Sequence, residues 1–278
     1  MGWCVCMGYE AFKNEVERVL SLKEEPLTWS EIREISGNLR QKAPYHVYVQ
    51  KLQGDIGLVR FKPKGRKETV WALREWFERG MFADMLPERM RFIILHVNGE
   101  TAIASDEHKN LRRVFPIRDD HLSRWDVVDA EISEFFPLDD RRPESIRVGE
   151  LNFVKHVEKE RERVKIAENT SESGEFLHTS AWNGKTLGMT KPRFRCFYFY
   201  DDRCQFFCDQ RVCLGHDVRA EKPMDRDEML MKDRVYFIFE SKHTGATEDD
   251  VIWRNRIEWV LKTVIALEDP RQRRLFCE

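Results

Sequence analysis

The chain has 278 residues, more than one hydrophobic core ordinarily serves, so two domains are expected. Apolar residues at 41% supply those cores and exclude a mainly disordered chain, while 35% charged residues and a mean hydropathy of -0.60 describe a soluble protein. Lys and Arg number 47 against 49 Asp and Glu, which excludes a uniformly basic nucleic-acid coat.

No stretch approaches the roughly eighteen uninterrupted apolar residues of a membrane helix. Residues 1–6 lack the basic start and long apolar core of a signal peptide, so a cytoplasmic location with no membrane partner is expected. Seven unevenly spread cysteines suit reduced thiols better than a disulfide framework.

Phe12, Val16, Val19 and Leu20 fall on one stripe and predict a helix over residues 10–23. Thr28-Trp29-Ser30-Glu31 reads as a capping box opening a short second helix, with Ile32 and Ile35 inward and an end near Ser36-Gly37-Asn38. Pro44 suits the first position of a third helix, continued by Tyr45, Tyr48, Val49 and Leu52 and closed at Gly54. Residues 58–61, a basic turn at 62–67 and residues 69–73 read as strand, turn and strand. Across 27–73, nine Lys or Arg face four acids, a concentration of charge that marks a local phosphate-binding face.

This order, with Gly54-Asp55-Ile56-Gly57-Leu58-Val59 joining the third helix to the hairpin, resembles the winged-helix family over residues 10–73. The resemblance implies DNA as the partner, the third helix in the major groove and the wing on the backbone. Carried onto this chain, residues 44–53 become the recognition helix, with His46, Gln50 and Lys51 on its exposed side and Lys42 just before it. Arg60, Lys62, Lys64, Arg66 and Lys67 become phosphate contacts. Val47 offers nothing to a base edge, so docking with limited sequence reading is expected.

A connecting helix is expected at 74–81, then a hairpin over 91–104 turning at Asn98-Gly99. Residues 104–124 are polar and charge-rich, and a strand follows at 125–132. A charged helix is expected at 154–166, an exposed loop at 168–174, and a second hairpin over 195–208 turning at Asp201-Asp202. A strong strand covers 234–240, and Val251, Ile252, Ile257, Val260, Leu261, Val264 and Ile265 predict an amphipathic helix over 247–267.

Phe239-Glu240-Ser241-Lys242, at the end of an apolar strand, resembles the E-x-K half of PD-(D/E)xK nucleases. That resemblance implies a divalent metal, Mg, held by Glu240 and an earlier acid, with Lys242 beside them as a catalytic group. Asp209 fits best as the second acid and metal ligand, Asp202 next. Cys196, Cys204, Cys208, Cys213 and His216 form a third cluster, and spacing alone leaves open whether it binds metal or is buried thiol. No H-E-x-x-H, P-loop or G-x-S-x-G occurs, which disfavours nucleotide hydrolysis and serine-hydrolase chemistry.

The expected fold class is α+β: a winged-helix domain at 1–76, then a mixed α/β domain with antiparallel hairpins at 77–278, with a further division within 140–175 left open. The expected function is DNA binding, largely through backbone contacts, without catalysis or cofactor, the second domain serving dimerisation or a heteromeric protein partner. The alternatives are the Mg-dependent nuclease and an accessory subunit of a larger nucleic-acid-processing or defence complex.

Overall fold

Phe12, Val16, Val19 and Leu20 are fully buried along one stripe of α1 (Tyr9–Lys23), the first element of the computed structural model. Residues 8–44, 46–118, 121–135, 137, 140, 142, 144–178, 185–193, 197–221, 232–243 and 257–268 are described, and they fall into two units, 1–88 and 89–278. In the first, β1 (Leu27–Thr28) leads into α2 (Trp29–Ser36), whose start is the capping box read from the sequence. Thr28 Oγ1 accepts from Glu31 N at 3.3 Å, and Glu31 Oε2 accepts from Thr28 N at 2.6 Å. Gly37, at φ 66°, ends α2 where a side chain would be strained.

Helix α3 (His46–Asp55) and strands β2 (Leu58–Phe61) and β3 (Val70–Leu73) follow, then α4 (Arg74–Glu78). The strands form an antiparallel sheet ordered β1-β3-β2, with Trp71 opposite both Leu27 and Arg60. Val49, Leu52, Leu58, Phe61 and Val70 are buried, and Trp29 stacks on Trp71 at 5.1 Å.

The second unit begins with a closed five-stranded barrel, ordered β4-β5-β6-β8-β7: β4 (Arg89–Asn98), β5 (Thr101–Asp106), β6 (Leu111–Phe115), β7 (Asp126–Phe135) and β8 (Ser145–His156). β6 and β8 are parallel, the other pairs antiparallel. Closure leaves the barrel no unpaired edge, and the register shifts in β4 and along β7–β8 supply the bends that closure needs. Helix α5 (Glu160–Thr170) and a 3-10 turn (Gly174–His178) come next.

They precede a six-stranded sheet ordered β10-β11-β12-β14-β13-β9, built from β9 (Leu187–Thr190), β10 (Phe197–Tyr200), β11 (Arg203–Phe206), β12 (His216–Ala220), β13 (Arg234–His243) and β14 (Ile257–Leu267). Its two faces feed different cores. Tyr236, Ile238, Ile265 and Leu267 pack with barrel residues Leu95, Ile103 and Leu111, while Phe237, Phe239, Leu261 and Trp259 pack with Phe176, Phe206 and Cys204. Among the described residues no helix is long and apolar enough to cross a membrane.

The expected fold class is corrected. Among the described residues β structure dominates, 41% strand against 25% helix, and the chain carries a closed barrel and large sheets where a winged helix followed by a mixed α/β domain was expected. The helix expected over 247–267 is instead β14 from Ile257 onward, with 247–256 outside the described residues. As an inner strand covered on both faces, β14 is apolar almost throughout, and such a run carries no strand period to separate it from a helix. The helix expected at 154–166 begins at Glu160, because β8 runs on to His156 against β7 with an exposed outer face. The charge-rich stretch 104–124 contains β6, whose Arg113 is buried. The first hairpin turns at Gly99-Glu100, Asn98 pairing with Thr101, and Gly99 alone has a positive φ.

One carboxylate ties α1 to the end of α2. Glu15 Oε1 accepts from Arg18 Nη2 and from Ser36 Oγ, each at 2.7 Å, and the Arg18 bond with these neighbours holds its pKa down from 4.5 to about 2. A depressed carboxyl stabilises the fold above its unfolded pKa and loses that effect as acid protonates it. Glu15→Gln is therefore expected to lower stability at neutral pH, with the gap to wild type closing between pH 4.5 and about 2 in denaturant titrations. A gap that persists unchanged at the acid end would contradict this.

Candidate functional site

In the first unit, the β2–β3 connection gathers charge on a constrained turn. Arg66 N donates to Pro63 O at 3.0 Å, and Gly65 takes φ 78°, the positive angle a type II turn requires at its third residue. Lys64 N donates to Met85 O at 3.2 Å, tying the tip to the 3-10 turn Ala83–Met85. Around this anchored backbone Lys62, Lys64, Arg66 and Lys67 are all exposed. Lys64 is partly neutralised: its Nζ lies 2.5 Å from Glu88 Oε1, a bond that raises the lysine pKa and lowers that of Glu88.

The other expected contacts are placed differently. Arg60 is half-buried on β2 with its guanidinium 5.9 Å from the Trp71 ring centre, and the Lys51 ammonium lies 4.8 Å from that of Tyr9. Lys42 is exposed between α2 and α3. His46 and Gln50 lie in α3, but their side chains fall outside the described residues.

In the second unit, Glu240 stands on the barrel-facing side of β13, surrounded by cations. Arg113 bonds its Oε1 through Nη2 at 2.5 Å and Nε at 2.9 Å, Arg142 Nη1 reaches the same oxygen at 2.8 Å, and Lys262 Nζ lies 3.3 Å from Oε2. Burial raises its pKa, and Arg113, Lys262 and Arg142 together outweigh that and lower it. Arg113 also donates to Ser145 Oγ, and Glu144 accepts from Thr186 N at 2.9 Å, so the pair sits in a hydrogen-bonded seam between barrel and sheet.

Lys242, two residues on, is exposed at the strand end. Asp209 accepts from Gly174 N at 2.7 Å, and Asp202 pairs with Arg219 at 3.1 Å on an exposed hairpin turn. Each acid considered beside Glu240 thus has its own local partner. Arg113, Arg142 and Lys262 were not singled out from the sequence; a charge on an apolar strand signals a partner without naming it.

The cysteines divide. Cys196 lies outside the described residues, and Cys204 is a fully buried core thiol. Cys208 and Cys213 meet His216, at the start of β12, and His178, at the end of the 3-10 turn, with one ligand atom from each within 4.8 Å of the others. His178 was missed: it lies thirty residues from Cys208 and belongs to no local spacing.

Compared with known proteins, the chain matches no family model and no curated sequence. The geometry therefore carries the functional reading. Five-stranded Greek-key barrels hold oligonucleotides on the face of their second and third strands. Here the corresponding strands, β5 and β6, turn Ile103 and Leu111 into the core shared with the six-stranded sheet, so that face is covered.

The surroundings of Glu240 predict a stability phenotype. Arg113→Met should cost about 1.5–3 kcal/mol, because the buried carboxylate loses both bonds from Arg113 while Arg142 and Lys262 still compensate part of its charge. Pairing it with Glu240→Leu should recover much of that loss in denaturant unfolding. A double variant as unstable as the sum of the singles would show that the two residues do not act as a pair.

Proposed function

We propose that this protein binds nucleic acid by docking the basic turn at 62–67 of its first unit on the phosphate backbone. The supporting observation is four exposed cations, Lys62, Lys64, Arg66 and Lys67, on one turn whose backbone is held by Pro63 O and Met85 O. A fixed turn loses little freedom on binding, and point charges on phosphates position a protein without reading sequence. Duplex DNA, a regular array of phosphates, is the ligand such a turn fits. The second unit then serves as a rigid body for self-association or for a protein partner. Three cations already compensate Glu240, which leaves a divalent metal little to gain there, and no cleavage step belongs to this reading.

Fluorescence anisotropy with a labelled duplex, repeated over a salt series, tests the docking. Removing Lys62, Arg66 or Lys67 should weaken binding and make the log–log salt slope shallower by about one per residue. Glu88→Gln should act in the opposite sense, tightening binding by releasing Lys64 from its ion pair. If the triple alanine variant keeps both wild-type affinity and slope, the turn does not touch phosphate.

A further inference from the structure

The β11–β12 connection and the 3-10 turn bring together four side chains that the docking reading does not use. His178 Nε2 lies 3.1 Å from Cys208 Sγ, and the rings of His178 and His216 are centred 4.6 Å apart. The His216 Nε2 atom is buried without a hydrogen-bond partner, a costly arrangement for an imidazole nitrogen unless something else satisfies it. Burial, with His178 nearby, pushes the His216 pKa down to about 4, so the ring is neutral at pH 7 and keeps a lone pair.

Both sulfurs receive backbone amides: Gly215 N donates to Cys213 Sγ at 3.4 Å, and the amide of Gln210 bonds to Cys208. Such donors favour the thiolate form, which the Cys208 thiol does not reach unaided, burial pushing it up to about 12. Gly174 matters for approach. A Cβ there would stand 2.5 Å from Cys208 Cβ, so only glycine lets the 3-10 turn close on the cysteine, and the Gly174 N bond to Asp209 fixes it there.

We propose that His178, Cys208, Cys213 and His216 form a four-coordinate site for a thiophilic divalent cation of the zinc class. Two sulfurs and two imidazoles are the donor set such an ion takes in tetrahedral geometry, at about 2.3 Å and 2.0–2.1 Å. A tetrahedron with those bonds has edges of about 3.3–3.8 Å, so donors already within 4.8 Å need only a small contraction. Four protein ligands leave no open position, which makes the site structural: it clamps the 3-10 turn to the β11–β12 connection. Binding converts both thiols to thiolates and releases their two protons, so affinity falls as pH falls. Cys204, in the same core, is outside the set.

The test uses the full chain purified under reducing, chelator-free conditions. Mass spectrometry of its metal content should find about one zinc per chain. Cobalt(II) added to chelator-treated wild type should give the intense visible bands of a tetrahedral ion and sulfur-to-cobalt charge transfer in the near ultraviolet. His178→Ala, which removes an exposed side chain, should weaken cobalt binding about tenfold or more, while Cys204→Ala keeps the wild-type spectrum. A spectrum no different from that of the hydrated octahedral ion overturns the proposal. Retention of the tetrahedral bands by Cys208→Ser with Cys213→Ser overturns it equally. The wild-type titration needs no variant to fold.

Discussion

The pairing of Arg113 with Glu240 is the constraint around which the second unit is built. Arg113 comes from the barrel and Glu240 from the sheet, and both are almost wholly out of water. Neither charge is tolerable there alone, so barrel and sheet must meet in the one register that joins them. Arg124 stitches the same two layers elsewhere, donating to Leu95 O on β4, to Val264 O and to Thr263 Oγ1 on β14. Apolar contact between a barrel wall and a sheet face is forgiving about sliding; these directional bonds are not.

That docking explains which parts of the fold were legible. The helices of the first unit each bury one stripe and expose the other, so Phe12, Val16, Val19 and Leu20 announced α1, and Thr28 with Glu31 announced the start of α2. The strand β14 is covered on both sides, which erases the alternation that identifies a half-exposed strand. Once the solvent-facing residues are gone, Val260, Leu261, Val264 and Ile265 fit a helical stripe as readily as a buried strand. The expected α+β class gave way where strands were hidden: β14 read as a helix, the end of β8 as the start of one, and β6 lay within a charge-rich stretch.

The sites followed a similar rule of locality. The basic turn was visible because its cations lie within six consecutive residues and its glycine sits at the position a type II turn demands. Glu240 was visible as an anomaly, a carboxylate ending an apolar run, but its meaning rested on Arg113, Arg142 and Lys262, brought from three distant segments. Cys208, Cys213 and His216 were noticed as neighbours in sequence; the fourth member, His178, arrives through the close contact of Gly174 with Cys208.

The register shift in β4 between Ile94 and His96 leaves Leu95 without a partner on β5 and reverses the alternation beyond it, so that Val97, not His96, returns to the barrel core. Phe92 and Ile94 point into the barrel while Leu95 joins the core shared with the sheet, so a single strand serves two interiors. This makes β4 intolerant of changes in length. Losing or gaining one residue there would move the following side chains from one interior to the other and break the barrel's pairing with β5 and β7 together. The turns at either end of the strand carry no such double duty, so natural variation in chain length should collect in them and be absent between Arg89 and Asn98.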